Sequence, residues 1–225
     1  MREIVFDTET TGFDFSRGDR MVEIGCVELY NRCETGKTFH AYYHPERDMP
    51  AAAEAVHGLS STFLAKFPLF ADAAHELIDF IGDAPLIAHN AGFDFGFLNG
   101  ELTRCGRDPV CLSRMIDTLA MAQKRHPGAK HSLDALCTRY GVDRSHRVLH
   151  GALLDAQLLA QVYVELTGGR QIGLGLVAEV APEAVAAPSP RASRARAPRV
   201  FAPSEGELAA HAAFMKGVTD PLWAA

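Results

Sequence analysis

The stretch that decides the interpretation of this chain is Glu3-Ile4-Val5-Phe6-Asp7-Thr8-Glu9-Thr10-Thr11-Gly12, close to the N-terminus. Its apolar first half predicts a buried β-strand, and Asp7 and Glu9 follow that strand directly. Because side chains alternate along a strand, residues two apart face the same side, so these two carboxylates lie together. Two like charges held there are costly unless a cation neutralises them, which indicates a Mg²⁺ or Mn²⁺ site. A solvated acidic turn is the alternative explanation for the pattern.

Two later motifs also carry chemically useful side chains. The first is His89-Asn90-Ala91-Gly92-Phe93-Asp94, which follows a short apolar strand and places Asp94 in the first turn of a helix. A carboxylate there could equally serve only the helix N-terminus, and we expect His89 to pack or hydrogen-bond locally. The second is His150-Gly151-Ala152-Leu153-Leu154-Asp155, in which Gly151 allows His150 to lie before a helix from which Asp155 projects. A histidine titrates near neutral pH, as a general base must, and His146 is the rival for that role.

Strands precede helices along the chain. Residues 21–30 and 37–43 are β-compatible, and 31–36 between them have turn composition. The later elements are, in order, a helix over 71–81, a strand over 85–88, a helix over about 92–105, a strand at 115–116, and helices over 132–140 and 151–166. Strands followed by alternating helices and short strands indicate an α/β or mixed α+β domain that ends near the paired glycines Gly168-Gly169.

The overall composition excludes few functions. The hydrophobic share of 48% is enough for a core, and no apolar run approaches the length of a membrane span, so we expect a soluble cytoplasmic protein. The five cysteines show neither paired nor zinc-ligand spacing, and we expect them to be reduced and mostly buried. A net charge of −6 argues weakly against a broad DNA-coating surface, but it is compatible with a nuclease whose metal ions supply positive charge.

The C-terminal part differs in composition from the rest. Residues 181–204 are rich in alanine and proline, carry several arginines and show no apolar periodicity, which predicts a flexible basic linker. Residues 205–225 regain apolar side chains and contain the only tryptophan, Trp223, but are too short to fold alone. We expect a docking peptide for a partner, with folding back onto the chain's own domain as the alternative.

Taken together and in this order, the motifs resemble one family. An Asp-x-Glu pair after a first strand, an aspartate at a later helix start and His-x4-Asp on a final helix resemble the DEDDh group of 3′→5′ exonucleases, over roughly residues 2–168. The resemblance implies an RNase H-like fold, with a mixed central sheet flanked by helices, plus a flexible C-terminal tail. The match is closer still to the epsilon proofreading subunits of bacterial DNA polymerase III, through the stretches 7–12, 56–58, 132–137, 149–157, 167–169 and the end of the tail.

The resemblance implies a two-metal mechanism. Asp7, Glu9 and Asp155 would hold one divalent cation, Asp7 would share a second with the scissile phosphate, and Asp94 would support it. Two such ions, Mg²⁺ or Mn²⁺, stabilise both the attacking and the leaving oxygen of an in-line displacement. His150 would take the proton from the attacking water, and the product would be a nucleoside 5′-monophosphate.

The resemblance also implies how the 3′ end is held. Thr10 and Thr11 would hydrogen-bond the terminal nucleotide, Phe13 would offer a stacking surface, and His57 lies in the family's loop over the frayed end. Asn90 could cap its helix or hydrogen-bond a nucleotide. A mismatched end frays more easily than a paired one, so a site that accepts single strand favours errors without inspecting the base. Asp117 and Asp134 are interpreted as structural.

Partners follow from the same resemblance. We expect an exonuclease domain over 1–168, a linker over 169–204 with a weak sliding-clamp peptide at 171–176, and a segment over 205–225 that docks on the catalytic alpha subunit of the polymerase. Two alternatives remain. One is a free-standing DEDDh nuclease that acts on RNA or oligonucleotides, and the other is a catalytically dead scaffold that keeps the fold as a polymerase-binding module.

Overall fold

A mixed five-stranded sheet forms the centre of the fold. The computed structural model describes residues 1–147, 149–169 and 202–218. The strands are β1 (Arg2–Thr10), β2 (Met21–Tyr30), β3 (Cys33–Tyr42), β4 (Leu86–Ala88) and β5 (Met115–Asp117), and their order in the sheet is β3-β2-β1-β4-β5. β1, β2 and β3 pair antiparallel, whereas β4 pairs parallel with both β1 and β5. This sheet confirms the prediction of an α/β fold.

Helices cover the sheet and connect its strands. In the compact unit formed by residues 1–176, they are α1 (Ala51–His57), α2 (Ser61–Leu64), α3 (Phe70–Ile81), α4 (Ala91–Arg104), α5 (Thr118–Arg125), α6 (Leu133–Tyr140) and α7 (Ala152–Leu166). Helix α6, predicted over 132–140, begins at Leu133, and the Ser132 side chain caps it by accepting a hydrogen bond from the Ala135 backbone N–H at 3.3 Å. Among the described helices, none is both long and apolar enough to cross a membrane.

The two faces of β1 pack against different helices. Ile4 and Phe6 belong to one core cluster, together with Phe95 of α4. Val5, on the opposite face, packs in a second cluster with Leu159 of α7. Because the strand alternates, its odd-numbered residues face α7 and its even-numbered residues face α4. The side chains that follow Phe6 therefore point alternately toward the N-terminal ends of α7 and α4.

The structure corrects several predicted element boundaries. β1 continues to Thr10, because its pairing with β2 extends to Thr10 opposite Met21, so Asp7 and Glu9 lie within the strand and not after it. The predicted turn over 31–36 is only two residues long, Asn31 and Arg32, both at positive φ, and β3 begins at Cys33. The helices α1, α2 and α5 were not predicted. The five cysteines are free, but Cys33 and Cys111 are exposed, so the expected burial is wrong for these two.

The second unit, residues 177–225, contains one described helix, α8 (Glu205–Met215). Ser204 and Glu207 form a capping box at its start, and each side chain bonds the backbone N–H of the other residue. None of its residues is buried, and Leu208 and Phe214 are exposed. The linker and clamp-peptide predictions at 171–201 and the tail from 219 onward lie outside the described residues, and the predicted domain bounds remain a prediction.

Candidate active site

All five residues predicted to carry the chemistry line a single cleft at the end of the sheet. The cleft has a volume of about 300 Å³ and contains Asp7 and Glu9 of β1, Asp94 of α4, His150 and Asp155. A larger cavity of about 680 Å³ lies elsewhere, around Arg32 to Glu34 and the end of α7, and contains none of them. The size of a cavity therefore does not locate the chemistry, whereas the convergence of these side chains does.

Asp94 is held by the neighbouring strand. It lies in the first turn of α4, is only 3% exposed, and accepts a hydrogen bond at Oδ1 from the Thr8 hydroxyl at 2.7 Å. Thr8 occupies the even face of β1, which is the face that packs against α4. Because side chains alternate along the strand, Asp7 and Glu9 lie on one face of β1 and Thr8 on the other, where Thr8 hydrogen-bonds the Asp94 carboxylate.

The fourth carboxylate and the histidine come from the start of α7. Asp155 lies in its first turn and is buried, whereas His150 lies before the helix and is exposed. One ligand atom each of Glu9, His150 and Asp155 lie within 4.8 Å of one another. His146, the rival for the base role, is exposed and does not line the cleft. His89 hydrogen-bonds the Thr118 hydroxyl through Nδ1 at 2.9 Å, as expected of a locally bonded residue.

Burial and mutual repulsion favour the protonated carboxyls in the absence of a cation. Burial, together with the charges of Asp94 and Glu9, raises the pKa of Asp7 well above its ordinary range. Burial, followed by the charge of Glu23, raises the pKa of Glu9 to about 8, and burial raises the pKa of Asp94 to about 7. A set of buried carboxyls with raised pKa values suits a hard divalent cation, whose charge would hold them ionised.

A basic side chain in the cleft wall was missed by the sequence analysis. The side chain of Arg147 is largely covered and pairs with Asp155 and Asp134. Asp134, interpreted as structural from sequence, also lines the cleft. No signal in a single sequence distinguishes Arg147 from the neighbouring arginines, because the loop that carries it has no periodic pattern.

A second, apolar pocket of about 350 Å³ adjoins the carboxylate cleft. It is lined by Thr10, Thr11, Phe13 and His57, four of the five residues predicted to bind substrate, and it shares Thr8, Glu9 and Phe93 with the cleft. The Phe13 ring is 92% exposed, which leaves it open to a stacking partner. His57 accepts at Nδ1 from the Leu59 N–H at 3.0 Å, and its buried Nε2 has no hydrogen-bond partner among the described residues.

Asn90 is the predicted binding residue that the structure does not bring into either pocket. It is the N-cap residue of α4, at φ 63°, but its side chain makes no capping hydrogen bond. It is exposed, and its backbone N–H donates to Asp117 Oδ1 at 3.1 Å. The interpretation of its side chain as a helix cap is therefore wrong, and its contact with a nucleotide remains a prediction.

Comparison with known proteins agrees with this geometry. A family model described as Exonuclease matches residues 4–163. DNA polymerase III subunit epsilon of Rickettsia felis is 48% identical over 222 residues, which cover 97% of each chain. The Salmonella typhimurium protein of the same name is 44% identical over 219 residues, covering 93% of this chain and 90% of that one.

Among solved structures, exonuclease X in complex with 5′-overhanging duplex DNA is 24% identical with a TM-score of 0.58, over 73% of this chain and 90% of that one. E. coli exonuclease I in complex with a dT13 oligonucleotide is 16% identical with a TM-score of 0.64, over 74% and 41%. These likenesses concern the fold alone.

The fold and the cleft define a nuclease, and this chain belongs to the exonuclease family. The predictions of an RNase H-like fold and of a 3′→5′ exonuclease are thereby confirmed. Within that family it falls among the proteins named DNA polymerase III subunit epsilon, as the sequence motifs implied.

Proposed function

We propose that this chain removes nucleotides from the 3′ end of DNA by metal-assisted hydrolysis, as the proofreading subunit of a bacterial DNA polymerase III in the cytoplasm. The observation that carries the proposal is the single cleft in which the four predicted metal-binding carboxylates and His150 converge. Asp7, Glu9, Asp94 and Asp155 would hold two divalent cations, Mg²⁺ or Mn²⁺, which supply charge stabilisation to the attacking and leaving oxygens.

The protein side chains have distinct roles in this proposal. His150, exposed at the mouth of the cleft, takes a proton from the attacking water at a ring nitrogen. Phe13 offers a face for the terminal base, and His57 offers an Nε2 donor to the nucleotide from the wall of the same pocket. Thr10 and Thr11 line the same pocket. None of these contacts depends on the identity of the base, which suits an enzyme that must accept any mispaired end.

Substitutions by neutral side chains of similar size test the site. Asp7→Asn and His150→Gln should each lower the rate of trimming of a 3′-mismatched primer in Mg²⁺ by at least about 100-fold, because the first removes a ligand of the cations and the second removes the proton acceptor. Asp108→Asn, at an exposed aspartate outside both pockets, is the matched control and should trim normally. Unchanged trimming by Asp7→Asn would contradict the site assignment.

Substrate class is tested separately. The same preparation is given a 3′-mismatched DNA duplex, a fully matched duplex and single-stranded RNA at equal concentrations. Proofreading predicts that the mismatched DNA is trimmed fastest, because its end frays at the lowest free-energy cost. A faster reaction on the RNA would instead favour a free-standing nuclease, and a complete lack of metal-stimulated cleavage would favour a non-catalytic scaffold.

A further inference from the structure

The guanidinium of Arg147 lies in the wall of the cleft, and 10% of the Arg147 side chain is exposed. Its Nε donates to Asp155 Oδ1 at 2.5 Å, and its Nη2 donates to Asp155 Oδ2 at 2.7 Å. Two parallel N–H···O bonds of this kind fix both the position and the plane of a carboxylate. The orientation of Asp155 is therefore set by Arg147 as well as by the α7 backbone.

The same guanidinium also reaches two other parts of the cleft. Nη1 donates to Asp134 Oδ1 of α6 at 3.0 Å, and Nη2 lies 2.9 Å from His150 Nδ1. One side chain thus joins a carboxylate at the start of α6, the loop that carries His150, and a carboxylate at the start of α7. The five fixed donors of a guanidinium make this possible, whereas the ammonium of a lysine is a point charge without the fork geometry.

Among the described residues, the His150 ring has few other hydrogen-bonding or ion-pairing partners. The His150 backbone N–H donates to the Val56 carbonyl at 3.2 Å, which fixes the backbone but not the imidazole. The side chain is 49% exposed, and Asp155 Oδ2 lies 3.4 Å from Nδ1. Within the part of the chain that the structure describes, Arg147 therefore provides the shortest polar contact to the ring, and it connects the ring to both helices.

We propose that Arg147 is a positioning residue for the reaction, which fixes the Asp155 carboxylate and ties the His150 loop to α6 through Asp134. This inference rests on the proposed function, since it assumes that Asp155 holds a cation and that His150 handles the proton. A carboxylate has about four lone-pair positions, so Asp155 accepts from Arg147 and retains lone pairs for a cation. Arg147 does not touch substrate in this role.

The decisive variant is Arg147→Lys, because it keeps the charge and removes the two-pronged geometry. We expect kcat on a single-stranded DNA oligonucleotide to fall about 10–100-fold with KM nearly unchanged, and Mn²⁺ binding, measured by calorimetry without DNA, to weaken about tenfold. The matched control is Arg144→Lys, because Arg144 lies in the same loop and pairs with the same Asp134 oxygen at 2.9 Å. It should match the wild type in both measurements.

Two further measurements separate positioning from a general effect on folding. Added guanidinium, at non-denaturing concentration, should restore part of the kcat that Arg147→Ala loses and should leave the kcat of Arg144→Ala unchanged. Asp134→Ala, which removes the α6 attachment and leaves the pair with Asp155, should lower kcat in the same direction but by less. Circular dichroism and the melting temperature of the full chain report whether each variant is folded.

The outcomes distinguish the positioning role of Arg147 from the proposed function. If Arg147→Lys has wild-type kcat and Mn²⁺ affinity while Asp7→Asn and His150→Gln are inactive, the positioning role is wrong and the proposed function stands. A lowered melting temperature with unchanged kcat for the folded protein would likewise leave Arg147 a purely structural residue. If Asp7→Asn retains activity, the proposed function itself fails.

Discussion

At the scale of single residues, the Thr8 hydroxyl holds one of the cleft carboxylates, Asp94, in position. It donates to Asp94 Oδ1 at 2.7 Å, and both side chains are buried. Thr8→Val keeps the shape and removes the donor, so we expect kcat and Mn²⁺ affinity to fall about 10–100-fold, the usual effect of losing a hydrogen bond to a metal-binding side chain. Thr8→Ser retains the hydroxyl and should stay close to the wild type. Equal behaviour of the two variants would show that the bond does not matter for catalysis.

The buried carboxyls predict an unusual dependence of stability on pH. Glu9 has a pKa of about 8 where its ordinary value is 4.5, so between these pH values the folded chain holds a proton that the unfolded chain has lost. Stability in EDTA should therefore fall as pH rises from about 5 to 8, with the melting temperature lowered by about 2–4 °C for each kcal/mol lost. Added Mn²⁺ should raise it most at the high end of this range. Thermal melts of the wild type and of Glu9→Gln, which should have a flatter pH dependence, measure the effect.

The same residues show what a single sequence can and cannot predict about a site. Asp7, Glu9, Asp94, His150 and Asp155 each belong to a spaced motif beside a recognisable strand or helix, and the structure brings all five into one cleft. Arg147 belongs to no such motif, and Asp134, although it lies at the start of a predicted helix, was interpreted only as structural. Their place in the cleft depends on the contacts of Arg147 with Asp155 and with Asp134. These contacts join residues eight and thirteen positions apart in the sequence, and only the folded chain reveals them.

At the scale of elements, the position of α7 depends on a glycine in the neighbouring strand. Gly25 lies opposite Asp7 in the β1–β2 pairing, and a Cβ placed on it would lie 2.2 Å from the Leu153 backbone nitrogen in the first turn of α7. Because backbone cannot yield as a flexible side chain can, Gly25→Ala must displace the helix start that carries Asp155. Close packing here is what brings the α7 carboxylate next to those of β1.

We therefore expect Gly25→Ala to reduce both stability and activity. Overpacking of this kind costs about 1–3 kcal/mol, and a shift of about 1 Å in a catalytic group can lower the rate about 100-fold. Thermal melts and the kcat for oligonucleotide cleavage provide the two measurements. Gly206→Ala, where an added Cβ meets nothing within 4 Å, is the control and should alter neither. Normal kcat in Gly25→Ala would mean that α7 tolerates the displacement.

Among the helices, a long and regular pattern favoured prediction. The spacing over 71–81 predicted α3, which runs from Phe70 to Ile81. It did not predict α1 or α2, since they have seven and four residues and offer too few turns for a periodic signal. The greater length of β1 was hidden because its polar second half is buried by pairing with β2 and by α4 and α7, which are tertiary contacts.

At the scale of the whole molecule, the described part of the second unit has no core of its own. Helix α8 has eleven residues, none of them buried, and an isolated helix of this length is marginal in water even with a capping box. Its exposed Leu208 and Phe214 offer apolar surface. These features favour a segment that gains stability from a partner, and the proposed partner is the catalytic subunit of the polymerase.

Removal of the residues after Gly169 tests whether catalysis depends on the first unit and partner binding on the second. The cleft and the apolar pocket lie entirely within residues 7–155, so the truncated protein should retain kcat and KM within about twofold, since substitutions and deletions away from a site rarely alter it. It should no longer co-purify with the polymerase catalytic subunit. In the full chain, Phe214→Asp should weaken that co-purification if α8 contributes, whereas Ala209→Asp, also at an exposed position of α8, provides a charge-matched comparison. Retained binding by the truncated protein would place the docking surface on the exonuclease unit. A lower melting temperature of that unit after truncation would instead show that the tail folds back onto it.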